Sequence, residues 1–177
     1  MSETRILMVD DEENILRALR RALAPEGYLV EDFTRPQAAL ERARSVHFDL
    51  VLSDYRMPGM DGVAFLQAFK ELQPDTARII VSGQTDLEGL QAAINQAEIY
   101  RFISKPWEQY DLRTTIRQAL AHRAVELENR RLADQVRRQK SQLDEQGRLL
   151  DRLEKEFPGI SEVRRTPDGA VVLDLDE

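Results

Sequence analysis

Five short apolar runs, near residues 5–9, 28–33, 49–53, 78–82 and 99–103, alternate with helical patterns near 13–24, 36–44, 61–72 and 86–96, and a fifth helical pattern begins after Trp107. Strands separated by helices of this length pair in parallel, and their sheet is covered on both faces. Start signals lie close to the strand ends: Thr34 before Pro36, Asp61 for the third helix, Thr85-Asp86 for the fourth. The expectation is an α/β fold with a five-stranded, doubly wound parallel sheet. With 177 residues, 42% of them hydrophobic, the chain can fill one such core and leave a remainder.

Open sheets of this kind place their chemistry beyond the carboxyl ends of the strands. Asp10-Asp11 follows Ile6-Leu7-Met8-Val9, Asp54 ends Leu50-Val51-Leu52-Ser53, Ser82-Gly83 ends Arg78-Ile79-Ile80-Val81, and Lys105-Pro106 follows Phe102-Ile103-Ser104. Three carboxylates on one edge repel one another unless a lysine or a divalent cation compensates them. A hard cation such as Mg²⁺ takes oxygen ligands and keeps waters, so Asp11, Asp54, a carbonyl just after Asp54 and a water-bridged Asp10 suit it. A carboxylate beside Mg²⁺ and an ammonium can attack a phosphoryl group and hold it as an acyl phosphate. Taken singly, Asp10 or Asp11 would read as a helix cap, Ser82 as a turn hydroxyl and Lys105 as a surface lysine; their joint placement at strand ends points to a site.

These residues, with Met57-Pro58-Gly59-Met60-Asp61-Gly62 after Asp54, make residues 1–122 resemble the receiver domain of bacterial two-component response regulators. The resemblance implies a flavodoxin-like receiver fold with Asp54 as phosphoacceptor for a cognate histidine kinase. It implies one Mg²⁺ held by Asp10, Asp11, Asp54 and the backbone carbonyl of Arg56. Ser82 then reads the phosphoryl group, Lys105 neutralises it, and Phe102 is the aromatic switch, although strand alternation alone leaves the face of Phe102 open. Arg56 and Gln84, each two residues after a site residue, are placed to alter the lifetime of the acyl phosphate. Serine stands at 82 where the family more often has threonine, and the hydroxyl is kept. A haloacid-dehalogenase-like phosphohydrolase is disfavoured, because that family places a second Asp where this chain has Arg56. The chain is therefore read as a phosphoacceptor whose only chemistry is self-directed, and not as an enzyme.

Other classes are set aside by what the chain lacks. Without cysteine there are no disulfides, thiolate zinc sites or cysteine nucleophiles. His47 and His122 have no ligand-like spacing and read as surface or helix-packing residues. Trp107 and Tyr110 read as packing or interface residues. No apolar run of membrane-spanning length and no signal-peptide pattern is present, which leads to the expectation of a cytoplasmic protein.

Beyond about residue 110 proline and aromatic residues vanish until Phe157, and a dense mixture of Arg, Glu, Gln and Leu reads as one long helix. A 3,4 spacing over residues 123–157 predicts a coiled coil with Asn129, Val136, Leu143, Leu150 and Phe157 at a, and Gln139 and Gln146 among the d positions. Such a seam predicts a homodimer, and its polar members and Gly147 predict a marginal one. Pairs at i,i+4, Glu126/Arg130, Asp134/Arg138, Asp144/Arg148 and Asp151/Lys155, support a solvated helix. Nine basic and eight acidic side chains in this stretch give no basic field, which argues against nucleic acid. Residues 158–177 read as a short acidic tail with a hairpin pattern, too small for an established output domain. Two readings follow: an adaptor whose coil and tail meet an unknown downstream protein, or the regulatory fragment of a longer HD-GYP, diguanylate cyclase or AAA+ effector.

Overall fold

The computed structural model describes residues 3–83 and 97–158. Five strands, β1 (Arg5–Val9), β2 (Leu29–Phe33), β3 (Leu50–Asp54), β4 (Ala77–Gly83) and β5 (Arg101–Lys105), form one sheet in the order β2-β1-β3-β4-β5. All pairings are parallel. Helices α1 (Glu13–Leu23), α2 (Pro36–Ala43) and α3 (Gly62–Leu72) lie between strands, and a long helix runs from Gln109 to Glu156. The expected fourth helical pattern, Gln84 and the hairpin tail lie outside the described residues.

Strand alternation divides the core into two layers. Ile6, Met8, Leu50, Leu52, Ile79, Val81 and Ile103 face α1 and the first turns of the long helix, where Leu16, Leu19, Leu112, Ile116 and Ala119 meet them. Leu7, Val9, Val51 and Ile80 face α2 and α3, against Ala39, Ala43, Phe65, Leu66 and Phe69. Both faces being covered explains why the strands read as continuous apolar runs. Register then fixes the site: Val9 lies opposite Ser53, Asp54 opposite Val81, and Gly83 opposite Lys105.

Two local expectations need correction. β5 begins at Arg101, two residues later than its apolar run; Ile99 is buried in the α2/α3 layer and Tyr100 donates its N–H to the Arg78 carbonyl before the ladder starts. Arg35, not Thr34, occupies the N-cap of α2, with no side-chain bond, because the residue before Pro36 is held extended. Asp61 does cap α3, accepting from the Ala64 N–H at 2.8 Å.

The chain divides into two compact units, Met1–Leu127 and Glu128–Glu177. Within the first, Arg123 bonds the Asp75 carbonyl at 2.6 Å, the Asp49 carboxylate at 2.9 Å and His47 Nε2 at 3.2 Å. It ties the long helix to the amino-terminal end of the sheet, whereas composition had grouped it with the solvated charges of the coil. In the second unit Asp134 pairs with Arg137 at i,i+3, and not with Arg138 at i,i+4. Both spacings are neighbours on a helix, so sequence alone does not choose between them. Gly147 lies inside this helix, and a Cβ there would meet nothing within 4 Å. Gly147→Ala should therefore stabilise the helix by about 1 kcal/mol, read as a later loss of helical ellipticity on heating. An unchanged or earlier melt would show that the glycine has another role.

Candidate functional site

β1, β3 and β5 deliver their terminal polar residues to one edge of the sheet. Asp10 is 1% exposed and Asp54 7%, while Asp11 is exposed. Lys105 Nζ bridges the two buried carboxylates, 2.6 Å from Asp54 Oδ1 and 2.8 Å from Asp10 Oδ2. The second oxygens are held by the chain itself: Asp10 Oδ1 accepts from the Glu12 N–H at 2.9 Å, and Asp54 Oδ2 from the Arg56 N–H at 3.1 Å. These bonds orient both carboxylates without satisfying their charge.

Burial pushes the Asp54 carboxyl above its usual range. The Lys105 bond pulls it down, and repulsion from Asp10 and then Asp11 adds to the rise. Burial disfavours the Lys105 charge, yet its bonds to Asp10 and Asp54 outweigh that and raise its pKa. Three carboxylates against one ammonium leave the pocket net negative. One oxygen each from Asp10, Asp11 and Asp54 lies within 4.8 Å of the others, so the donor set is all hard oxygen and short of positive charge, which fits a divalent cation such as Mg²⁺.

Ser82 is buried on β4, one residue beyond the partner of Asp54, with its Oγ donating to the Gly83 carbonyl at 3.2 Å. Phe102 lies opposite Ile80 and so on the α2/α3 side of the sheet; it is 38% exposed and belongs to neither core layer among the described residues. The open question of its face is thereby answered, and it is not a core residue of those layers. Trp107 packs against the α1 layer, and Tyr110 is exposed. The His122 ring meets Tyr100 at a tilt of 46°, with ring centroids 5.1 Å apart. The seam residues Asn129, Val136, Leu143, Leu150 and Phe157 all lie exposed along the long helix.

Sequence reasoning missed Gly62 as a site residue. A Cβ there would stand 2.1 Å from the Asp54 carbonyl oxygen and 3.0 Å from the Tyr55 Cα. The Gly62 N–H also donates to the Tyr55 carbonyl at 2.8 Å. The start of α3 is thus pressed against the backbone that carries Asp54. Its sequence signal, the last position of Met57-Pro58-Gly59-Met60-Asp61-Gly62, marks a turn after Asp54 without revealing that Gly62 presses on it.

A doubly wound sheet whose edge joins two acids, a third buried acid and a lysine defines a receiver. Residues 6–117 match the response regulator receiver domain family, and the chain belongs to it. It is 36% identical over 135 residues to the hydrogenase transcriptional regulatory protein HoxA of Cupriavidus necator, covering 76% of this chain and 28% of HoxA. To the DNA-binding transcriptional regulator NtrC of Escherichia coli it is 33% identical, over 66% of this chain and 25% of NtrC. The signal receiver domain of an HD domain-containing protein from Pseudomonas fluorescens superimposes with a TM-score of 0.67 at 38% identity, over 70% of this chain and 99% of that one. The chain thus spans about a quarter of the length of the curated relatives it matches. No described helix is long and apolar enough to cross a membrane.

Proposed function

We propose that Asp54 accepts a phosphoryl group from the phosphohistidine of a histidine kinase and that the resulting acyl phosphate controls what the chain binds. The observation that carries this reading is the Asp54 carboxylate, buried at the end of β3 between Lys105 and the Asp10-Asp11 pair. In the transfer an Asp54 oxygen forms the new P–O bond, the P–N bond breaks, and the imidazole leaves. Asp10, Asp11, Asp54 and the Arg56 carbonyl are the residues to hold Mg²⁺, which when bound offsets charge on the phosphoryl oxygens. The Lys105 ammonium neutralises charge on the same group. The Ser82 hydroxyl is the donor that reads the phosphoryl group, and Phe102 responds. Arg56 and Gln84 set the access of the water that later hydrolyses the acyl phosphate.

The change leaves through the face built by the fourth helical pattern, β5 and the long helix, and through a homodimeric coil. The partners are then a histidine kinase, a second copy, and a downstream protein or output domain, in the cytoplasm. A second reading has one specific support: HoxA and NtrC are transcription regulators in which the matched segment is about a quarter of the protein. By that reading the chain is the regulatory segment of a longer effector.

Acetyl phosphate with Mg²⁺ tests the chemistry. One hydroxylamine-labile phosphoryl group should appear on the peptide that contains Asp54, and chelation should stop its uptake. A label on another peptide would overturn the assignment, and uptake indifferent to chelation would remove the metal from it.

A further inference from the structure

We infer that the coil pairs two copies of this chain in parallel and in register, and that its polar layers, rather than its flanking charges, impose that arrangement. The inference rests on the dimeric coil proposed above and adds its orientation. In the second unit the stripe is open: Leu132 is 46% exposed, Leu143 66%, and Val136, Leu150 and Phe157 fall between. An apolar stripe of this length on an otherwise polar helix calls for a partner helix.

What covers it follows from the order of polar and apolar layers. Asn129, Gln139 and Gln146 interrupt the apolar positions at unequal intervals. In a parallel, in-register pair each meets its own copy. An amide carries both donors and acceptors, so two facing amides satisfy each other, and every apolar layer meets an apolar layer. Antiparallel pairing sets a against d. Of the two such alignments that overlap residues 129–157 most fully, one places Asn129 on Leu153, Gln139 on Leu143 and Gln146 on Val136. The other places Gln139 on Leu150 and Gln146 on Leu143. A parallel slip of one heptad sets Asn129 on Val136, Leu132 on Gln139 and Gln146 on Leu153. Each alternative buries amides against apolar side chains without a hydrogen-bond partner, which is unfavourable.

The flanks do not choose. Parallel g–e′ pairs are Glu128 with Ala133, Gln135 with Lys140, Gln142 with Gly147 and Leu149 with Glu154, none of them two charges. Polar core positions are the known determinants of register in such coils. The apolar residues alone would accept several alignments, so the three amides carry the specificity.

The chain has no cysteine, so single cysteines in the full chain report the pairing without background. Mixtures of a tagged and an untagged variant are oxidised. L132C with L150C and V136C with L153C probe the two antiparallel alignments, and V136C with L143C probes the slipped one. The expected result is at least tenfold more like-with-like disulfide than mixed disulfide in all three mixtures. In the background of Asn129→Leu, Gln139→Leu and Gln146→Leu, the mixed products should rise several-fold while association tightens. Dominant mixed products in the native seam would overturn the orientation and leave the dimer standing. A monomer by light scattering at high micromolar concentration would overturn the dimer itself, and phosphoryl uptake at Asp54 would be untouched by either outcome.

Discussion

Asp54→Asn should reduce phosphoryl uptake from acetyl phosphate to background while making the protein more stable at neutral pH. The first effect follows from chemistry: an amide is no nucleophile toward phosphorus, and no other carboxylate in the pocket takes its place. Asp10 has one oxygen on the Glu12 N–H and the other on Lys105, and Asp11 is exposed to water. The second follows from linkage. Burial raises the Asp54 pKa despite the Lys105 bond, so the folded protein holds this proton to a higher pH than the unfolded chain does. Between the usual carboxylate value, about 4, and the raised one, the unfolded chain binds fewer protons. Stability therefore falls as pH rises through that window, and the loss is complete above it. Asparagine resembles the neutral carboxyl and removes this loss. Lys105 acts at the other end of the scale: its raised pKa contributes stability that is present at neutral pH and is lost only as pH climbs above about 10.4. That contribution persists in part in the variant through Asp10. Thermal melts from pH 3 to 8 check the claim. The two proteins should converge at the acid end, with the variant melting higher at pH 7. Mg²⁺ should narrow the gap by stabilising the native protein more. Undiminished labelling of the variant would end the assignment of Asp54, and a lower melting temperature at pH 7 would mean that the Lys105 bond outweighs burial.

The strands were legible because both faces of the sheet are covered, which turns each into an uninterrupted apolar run. Their polar terminators, Asp10, Asp54, Ser82 and Lys105, stood out for the same reason, since a polar residue ending such a run sits at the sheet edge. The face of Phe102 was not legible, because Ile99 and Tyr100 precede the ladder and break the alternation: Tyr100 packs on the α1 layer, Ile99 on the other, and Phe102, among the described residues, on neither. Cations drawn into the fold were also hidden. Arg78 is 5% exposed and donates to the carbonyls of Pro74, Thr76 and Ala97; Arg123 holds Asp75, Asp49 and His47. Their partners are loop carbonyls and residues far off in sequence, and those contacts exist only once the sheet has assembled. The long helix is the reverse case, since helical periodicity is local and can be read residue by residue, and Asn129, Val136, Leu143, Leu150 and Phe157 lie exposed along it.

Gly62→Ala is expected to destabilise the receiver severely, with a loss of about 3 kcal/mol or more, at the upper end of what overpacking costs. The reason is space, and the comparison with Gly59 separates space from backbone conformation. Gly59 has φ of +81°, and a Cβ there meets nothing within 4 Å. Gly59→Ala should therefore cost only the left-handed backbone, about 1 to 2 kcal/mol. A Cβ at Gly62 would lie 2.1 Å from the Asp54 carbonyl oxygen, and the atoms in its way belong to the backbone. No side chain can swing aside, so either α3 lifts from β3 or the end of β3 shifts. Lifting α3 strains the Gly62 to Tyr55 hydrogen bond and the layer around Phe65, Leu66 and Phe69. Shifting β3 moves Asp54 away from Lys105, whose bond at 2.6 Å tolerates little displacement. Urea unfolding of the two variants measures the first cost, and the rate of phosphoryl uptake by whatever remains folded measures the second. Both should be worse for Gly62→Ala, with Gly59→Ala retaining most of its uptake rate. Equal losses in the two variants would show that the backbone around Asp54 yields easily, and that Gly62 has no special part in holding the phosphoacceptor in place.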